Sequence, residues 1–448
     1  MLGKVKFPDA LLLLSIFILA AMIATYVVPS GKFKRTVNEA SGREVVVPHS
    51  FEQTEAAPVG FFNMLVAIPK GMQQAASVIF FVFLVGGSFV VINKTEALHA
   101  GVEYIAVKFS SHEMWVIPIC IVLFAALGAI QNFQEEIIPL VPILLLLCKR
   151  MGFDNLTAVA ISLGAAMVGA SFSPINPFQV GIGQKISDVP LLSGALFRTV
   201  FLVIAVLIYS IVVFRRAFKT KTAGETTQVM ESGSFSIAHK LILLVVALSF
   251  VFLVMGVSQW DWDFEQMTAL FFLTGIVCAI IAGFGANRTI NAFVEGFRDM
   301  AYAGLLIGFA RAIYVVLEEG LILDSLVNSL FVPISQMPKM VALTGITLAE
   351  SLVHFPVPSV SGQGVLTMPL LASLADLMEV PRQLMILCYQ YGAGTAELIT
   401  PTNGALMAVL SASRVSFAKW IKFSIKAYVI LVLLGIVAIY IGHSIGYS

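Results

Sequence analysis

Charged residues are scarce in this chain. Asp, Glu, Lys and Arg make up only 12% of its 448 residues, whereas hydrophobic residues make up 58%, and the mean hydropathy is +0.94. Soluble domains carry about 25% charged residues, so the composition excludes an ordinary soluble fold. It predicts an all-α polytopic membrane protein surrounded by membrane lipids. The net charge of +1 gives no reason to expect a nucleic acid as a partner.

Cysteine and histidine are also rare, with four and six residues respectively. Cys120, Cys148, Cys278 and Cys388 lie in apolar segments without the spacing of metal ligands, so we interpret them as packing residues. The sequence has no His/Asp cluster and no glycine-rich phosphate loop with a lysine. We therefore predict no enzyme activity and no metal or cofactor, apart from a sodium ion or a proton as coupling ion.

Long apolar runs dominate the sequence, and nine of them could cross roughly 30 Å of hydrocarbon. They are residues 9–29, 73–93, 154–187, 191–214, 238–257, 266–285, 300–317, 382–411 and 422–446. The first run follows two lysines as a signal peptide would, but its length favours a retained helix. Two further apolar segments, 114–149 and 341–379, are interrupted at their centres by polar residues. Such an interruption predicts a re-entrant hairpin with its tip inside the membrane.

Lysine and arginine are concentrated in alternate loops, which predicts the orientation of the chain. With the N-terminus in the cytoplasm, the basic segments at 149–150, 215–221 and 414–422 all fall on the cytoplasmic side. The acidic stretch at 261–265 and the segment 29–58 fall outside, and the C-terminus is also predicted to lie outside.

A short cassette occurs twice, 227 residues apart. Residues 173–177 read SPINP and residues 400–404 read TPTNG, each inside an apolar run. A hydroxyl, a proline and an amide in such a run break the helix at membrane depth, and paired breaks in two halves are typical of a secondary transporter. Because one half has four spans and the other has five, we predict an inverted-topology repeat.

The broken helices and the hairpin tips supply the candidate substrate-binding residues. A helix break offers N–H groups to an anion and unwound carbonyls to a cation, while amides and hydroxyls add donors and acceptors that suit a carboxylate. The candidates are Asn132, Ser173, Asn176, Ser359, Ser361, Gln363, Thr400, Thr402 and Asn403. The alternative is that the asparagines only cap helices and the serines only form turns.

Ionisable residues at membrane depth are costly and usually face a cavity or a partner. Such residues are therefore candidates for binding sodium, a proton or a substrate amine. The alternative is that the hairpin tip reaches water, which merely solvates them. The ion-coupling candidates are Gln134, Glu135, Glu136 and Glu397. Arg311 is expected to pair with Glu350, with Glu397 or with backbone carbonyls, and His354 either senses pH or is simply packed.

These motifs resemble those of the bacterial YfcC-type carriers, in the four-carbon-dicarboxylate anaerobic carrier-like group, which is related to arginine/ornithine antiporters within the ion transporter superfamily. The resemblance is carried by residues 134–142, 173–178, 358–363 and 399–404, and extends to residues 7–8 and 42–46. It implies a homodimeric elevator carrier of the bacterial inner membrane. The group's pattern has an Asp between two glycines where this chain has Ala393, and Glu397 follows nearby, which weakens the inference of a cationic amino-acid substrate.

The resemblance and the repeat together divide the chain. The first repeat is 1–218, a cytoplasmic linker is 219–236, and the second repeat is 237–448. Scaffold helices are expected at 1–112 and 237–337, hairpins with broken helices at 113–190 and 338–411, and further helices at 191–216 and 420–446. Amphipathic stretches at 96–111 and 319–336 either lie along the membrane interface or form surface loops.

We predict a secondary active transporter of a small organic anion, a carboxylate, or of an amino acid, coupled to sodium or protons. A basic amino-acid antiporter of the arginine/ornithine type is the alternative, and an ion channel or a membrane-embedded enzyme is a remote one. No nucleotide-binding motif is found, so an ion gradient or exchange is expected to drive transport.

Overall fold

The computed structural model describes residues 10–38, 43–108, 113–222, 236–260, 262–334 and 336–447. Helices dominate these ranges. The helices are α1 Ala10–Val27, α2 Phe61–Gln74, α3 Ala76–Asn93, α4 Ala97–Lys108, α5 Val116–Gln131, α6 Val141–Arg150, α7 Asn155–Val159, α8 Ala165–Ser171, α9 Ile182–Ile186, α10 Ala195–Thr220, α11 Ile237–Gln259, α12 Phe264–Ile281, α13 Ala286–Glu319, α14 Leu323–Ile334, α15 Lys339–Val353, α16 Val360–Leu377, α17 Arg382–Ala396, α18 Gly404–Ala412 and α19 Phe417–Ser444.

Within the described ranges, six helices are long and apolar enough to cross a membrane: α1, α3, α10, α12, α13 and α19. All six overlap predicted spans, and α11 matches a seventh. The two spans predicted to be broken contain α7 to α9 and α17 to α18, with breaks at 172–176 and 397–403. The polar interruptions separate α5 from α6 and α15 from α16, as expected for hairpins. The prediction of a mainly helical membrane fold is therefore confirmed at this level.

The segment between α1 and α2 departs from the all-α prediction because it contains four short strands. These are β1 Gly31–Lys32, β2 Arg35–Asn38, β3 Arg43–Val46 and β4 Glu52–Gln53. β1 pairs with β4 and β2 pairs with β3, both antiparallel. Strands of two to four residues are too short to show the alternating pattern by which a strand is recognised in a sequence.

The helices α2 and α13 are also not fully predicted, since all but the last two residues of α2 lie outside the predicted spans and α13 begins at Ala286, well before the predicted span at 300. Both are stabilised by close approach of small residues. A Cβ on Gly71 of α2 would lie 2.6 Å from the backbone nitrogen of Ala312 in α13, and one on Gly296 would lie 2.5 Å from Cα of Gly87 in α3. Close contacts of this kind are the usual packing device between helices in membranes.

Each hairpin packs one arm against the broken helix that follows it in the chain. A Cβ on Gly128 in α5 would lie 2.0 Å from the Ala166 carbonyl oxygen in α8, and a Cβ on Gly392 in α17 would lie 2.4 Å from the Thr347 oxygen in α15. The two broken helices contact each other where Gly394 meets Ser171. The two helix breaks are therefore brought close to each other and to both hairpin tips.

The amphipathic stretches form the helices α4 and α14, so they are not simple loops. The predicted linker 219–236 is shorter than expected, because α10 continues to Thr220 and Ser236 caps α11 by accepting a hydrogen bond from the backbone N–H of His239. The remainder of that prediction, at 223–235, lies outside the described residues, as do residues 7–8, Gly42 and Asp261.

Candidate functional site

The first helix break is held together by its own cassette. The Ser173 hydroxyl donates to the Ala129 carbonyl at 2.5 Å and accepts from the backbone N–H of Asn176 at 2.9 Å. The Asn176 side chain donates to the Gly128 carbonyl at 3.0 Å and accepts from the N–H of Phe178 at 2.9 Å. Ser173 and Asn176 are both fully buried, and their polar groups are occupied by backbone partners. This geometry agrees with the capping alternative for the first cassette.

The second break uses the same residue types differently. Asn403 caps α18 by accepting from the N–H of Leu406 at 2.9 Å, but its amide nitrogen lies 3.5 Å from Oε1 of Gln134 on the first hairpin tip. The hydroxyl of Thr400 donates to the Ala396 carbonyl, and that of Thr402 donates to the Phe355 carbonyl. Asn403 is therefore the cassette amide that is directed towards the first hairpin tip.

Gln134, at the tip of the first hairpin, connects the N-terminal and C-terminal halves of the chain. It is buried, and its amide nitrogen donates to Oε2 of Glu397 at 2.7 Å. The neighbouring Asn132 adopts a left-handed backbone with φ of 57° and accepts from the Gln179 amide at 2.9 Å. Non-glycine residues with positive φ cluster at functional sites, and asparagine is among the residues that tolerate it.

A cavity of about 320 Å³ lies where the hairpin tips, the second break and the start of α12 meet. This volume is at the small end of the range for small-molecule sites, about 300–1,000 Å³. Most of the predicted site residues line it, namely Asn132, Gln134, Glu135, Glu136, Ser359, Ser361, Glu397 and Asn403. The other predicted residues, Ser173, Asn176, Gln363, Thr400 and Thr402, are not part of this lining and serve the surrounding backbone or the second hairpin.

The charge of this cavity is one-sided. Four carboxylates line it, those of Glu135, Glu136, Asp263 and Glu397, and among the described residues no lysine or arginine lines it. Asp263 and Trp262 come from the connection between α11 and α12, so this connection and the start of α12 close the cavity on one side. Neither residue is among the predicted site residues, because the sequence pattern predicts an outer loop for this segment.

The second hairpin holds a buried polar cluster behind its tip. The Gln363 amide nitrogen donates to the carboxylate of Glu350, and Oε1 of Gln363 lies 3.0 Å from Nδ1 of His354. All three side chains are fully buried. Gln363 therefore holds the two arms of the hairpin together and does not line the cavity.

Arg311 is held by groups other than the two candidate carboxylates. Its Nε donates to Oε1 of Gln74 at 2.9 Å, and its guanidinium lies 4.5 Å from the centre of the Tyr314 ring. It lines a second cavity of about 320 Å³ that it shares with Ser359 at the tip of the second hairpin. Of the alternatives left open for Arg311, pairing with Glu350 or Glu397 is not what the described residues show, because α13 presents this side chain to α2.

A fully buried arginine on α10 was missed because its position in an apolar run carries no motif. Arg198 donates to the side-chain oxygens of Gln390, Gln383 and Tyr447, at 3.2, 2.8 and 2.7 Å. Gln390 in turn donates to the Ser173 carbonyl at 2.7 Å. This chain of hydrogen bonds connects the end of α19 to the first helix break and satisfies carbonyl groups that the break leaves free.

The C-terminal residues 442–446 read GHSIG and so match the Gly-x-Ser-x-Gly pattern of serine hydrolases. The nucleophile of those enzymes sits on a turn between a strand and a helix. Here Ser444 ends the helix α19, and its hydroxyl donates to the Tyr440 carbonyl at 2.9 Å. The structural context of a nucleophile is not met at this serine.

The different roles of the two asparagines give a testable prediction. Asn176→Ala removes a helix cap, worth about 0.5–2 kcal/mol, and leaves the buried Gly128 carbonyl without its donor, at a cost of about 1–3 kcal/mol. Asn403→Ala also removes a helix cap, but the only other contact that it removes is the long, weak one to Gln134. We expect Asn176→Ala to lower the unfolding midpoint of the purified protein more, and Asn403→Ala to lose transport with a smaller loss of stability. Equal stability losses with equal transport losses would contradict this division of roles.

Comparisons with known proteins agree with a transporter. Residues 7–444 match the sequence profile of the family described as DcuC, C4-dicarboxylate anaerobic carrier. The chain is 30% identical over 490 aligned residues to YfcC of Escherichia coli strain K12, which is provisionally named a basic amino acid antiporter, covering 98% of this chain and 97% of that protein. An uncharacterized protein of Haemophilus influenzae is 28% identical over 410 residues, covering 88% of this chain and 80% of its own length.

Two solved structures are distantly similar to the structure of this chain. The YdaH transporter of Alcanivorax borkumensis aligns with a TM-score of 0.44 at 15% identity, covering 98% of this chain and 99% of its own. MtrF of Neisseria gonorrhoeae aligns with a TM-score of 0.42 at 16% identity, covering 99% and 96%. From the match over residues 7–444 and the similarity to YfcC over nearly all of both chains, this multi-pass membrane protein belongs to the DcuC family of carriers.

Proposed function

We propose that this protein is a secondary active transporter whose central cavity takes a substrate bearing an amine, namely a basic amino acid. The observation that carries the proposal is the set of four carboxylates in a cavity that no described lysine or arginine lines. Like charges held together at membrane depth are costly, and a bound cation offsets that cost. A substrate with one or two ammonium or guanidinium groups supplies the missing charge.

The α-carboxylate of such a substrate also has partners. The N-terminus of α18, a helix of nine residues, meets the cavity at Asn403 and Gly404. Backbone N–H groups at a helix N-terminus attract a carboxylate. The amide of Asn403 and the hydroxyls of Ser359 and Ser361 add donors from two sides. The cavity therefore offers separate places for the cationic and the anionic end of an amino acid.

A second candidate is a dicarboxylate taken up with sodium or protons. It is favoured by the amides and hydroxyls of the cavity and by Arg311, which lines the adjoining cavity at Ser359 and supplies a positive charge there. In this scheme the carboxylates of Glu135, Glu136 and Glu397 hold the coupling ions, which neutralise them before the anion enters. The family description names C4-dicarboxylates, whereas the name of YfcC refers to basic amino acids.

The position of the cavity supports an elevator mechanism. Its walls come from the hairpins and the second broken helix on one side and from residues 262–267 of the scaffold on the other. Sliding of the hairpin part against the scaffold would expose such a boundary site to each side of the membrane in turn. We further propose an inverted-topology repeat, a homodimer and a location in the bacterial inner membrane, with the N-terminus in the cytoplasm and the C-terminus outside.

The experiment is counterflow in proteoliposomes. Vesicles containing the purified protein are loaded with unlabelled arginine, ornithine, lysine or succinate and diluted into the labelled compound, with and without a sodium or proton gradient. Accumulation of a labelled basic amino acid without any ion gradient is the expected result. Accumulation of succinate only, and only with sodium or a proton gradient, would establish the second candidate and overturn the first. An ion channel would show no counterflow with either compound.

A further inference from the structure

A third cavity, larger than the two described above, lies at the end of the helix bundle where α10 ends and α19 begins. Its volume is about 980 Å³. Seven basic side chains line it, and we call this surface the basic groove: Arg215, Arg216, Lys219, Arg414, Lys419, Lys422 and Lys426. These residues come from segments about 200 positions apart in the sequence, so the fold and not local sequence brings them together. The groove shares no lining residue with the candidate transport cavity.

The positive charge of the groove is almost uncompensated among the described residues. One carboxylate lines it, that of Asp154, and Arg216 already binds it through two hydrogen bonds of 2.9 and 2.5 Å. The other six basic side chains belong to exposed residues. Lys419, Lys422 and Lys426 follow one another at the spacing that places them on one face of α19. A ligand with negative charge is therefore the complement of this surface.

The turn after α18 places a further guanidinium, that of Arg414, in the groove. This arginine ends α18 with φ of 53°, in the left-handed region. Glycine is the usual residue at that position of a helix end, because a side chain is strained there. Here the strained position carries a guanidinium that lines the groove.

The groove changes from basic to apolar along both helices. Val212 of α10 and Ile430 of α19 line it one to two turns deeper than the basic residues, and Phe423 forms part of its wall. Beyond the groove the two helices expose apolar side chains, with Ile211 50% and Leu433 56% exposed. Both helices are long and apolar enough to cross a membrane. A small soluble anion would use only the basic end of such a site.

From this gradient of polarity we propose that the basic groove binds an anionic phospholipid, with its phosphate headgroup among the lysines and arginines and its acyl chains along the exposed faces of α10 and α19. Basic pockets between membrane-spanning helices have the chemistry of lipid headgroup sites. Juxtamembrane basic residues also occur simply to set orientation, but that role needs no convergence of distant segments on one cavity.

The test measures the unfolding midpoint of the full-length protein, purified in neutral detergent, against added lipid. The arms are phosphatidylglycerol, phosphatidylcholine with the same acyl chains, and inorganic phosphate. We expect a saturable rise in the midpoint with phosphatidylglycerol only. An equal rise with phosphatidylcholine would show that the chains alone bind, and an equal rise with phosphate would show a site for a small anion; either result overturns the proposal.

Two double variants locate the site. In Lys419→Gln/Lys422→Gln we expect the apparent affinity for phosphatidylglycerol to fall roughly tenfold to thirtyfold. The matched control Arg288→Gln/Arg298→Gln removes two positive charges from exposed residues of α13 and should leave the affinity unchanged. An equal loss in both variants would indicate a general charge effect and contradict the proposal. If the first variant does not fold, the wild-type affinity must still fall with added salt, and binding that is insensitive to salt overturns the proposal.

Discussion

Replacing Glu397 with glutamine is expected to abolish transport of a basic amino acid while leaving the protein folded. Glutamine has nearly the same shape as glutamate, and its side-chain oxygen can still accept the 2.7 Å hydrogen bond from the Gln134 amide. The variant therefore removes a charge from the cavity without creating a void. In the proposed complex the Glu397 carboxylate pairs with the amine of the substrate. Losing one member of such a buried, hydrogen-bonded charge pair costs about 2–5 kcal/mol, which corresponds to a loss of affinity of roughly thirtyfold to several thousandfold.

The measurement is counterflow of labelled arginine, ornithine or lysine together with ligand-induced thermal stabilisation. The matched control is Glu379→Gln, because the side chain of Glu379 is 86% exposed and lies 3.6 Å from Lys339 at the surface. This control should transport like the wild type. Wild-type affinity and transport in Glu397→Gln would refute a role for this carboxylate in binding the amine.

The same variant separates the two candidate functions. If the protein carries a dicarboxylate with sodium or protons, Glu397→Gln removes a place for a coupling ion and not for the substrate. Binding of succinate would then persist in the variant, while its dependence on sodium or on pH would weaken. Loss of binding of the amino acid itself, with no change in the response to sodium, is the outcome that our first proposal requires.

The two cassettes show how far the sequence leads. The repeated hydroxyl, proline and amide correctly predict two helix breaks facing two hairpins, because proline and an unsatisfied backbone are incompatible with a continuous helix in lipid. The sequence cannot predict that Asn176 is occupied by the Gly128 carbonyl while Asn403 is directed towards Gln134. The two asparagines differ because Asn176 meets a carbonyl from its own half of the chain, whereas Asn403 meets an amide from the opposite half.

The charge of the cavity was equally beyond prediction from local patterns. Glu135 and Glu136 were candidates because they interrupt an apolar run, but Asp263 lies in a polar connection where acidic residues are ordinary. Only tertiary packing brings α12 against the hairpin tips. Amides and hydroxyls alone favour a carboxylate ligand, whereas the four carboxylates that three parts of the chain bring to the cavity support the proposed cationic ligand.

Gly169→Ala, which adds a single methyl group, is expected to have the second large effect, a loss of stability and of transport. In the folded protein a Cβ at this position would lie 1.9 Å from the Ala125 carbonyl oxygen, so α5 and α8 cannot keep their present separation. The atom that is met belongs to the backbone and cannot move aside as a flexible side chain would. Because α5 is one arm of the first hairpin, the displacement also moves the tip that carries Gln134.

Two opposing free-energy changes decide whether Gly169→Ala raises or lowers the stability of the protein. Glycine in a helix interior is less favourable than alanine by about 1 kcal/mol, so Gly169→Ala would stabilise an isolated helix. Overpacking of a tight interior costs typically 1–3 kcal/mol and more where backbone must shift. We expect a net loss of about 2 kcal/mol for Gly169→Ala and failure to fold for Gly169→Leu.

Unfolding midpoints of the purified variants test this expectation, with Gly285→Ala as the matched control. A Cβ on Gly285 meets no atom within 4 Å, and its φ of −72° is ordinary for alanine, so the control should stay close to wild-type stability. Transport by Gly169→Ala should also fall, although Gly169 does not line the cavity, because the position of Gln134 relative to Glu397 depends on this helix contact. Wild-type stability and transport in Gly169→Ala would show that the hairpin can separate from α8 without cost, and that the first hairpin is not held by the close packing described above.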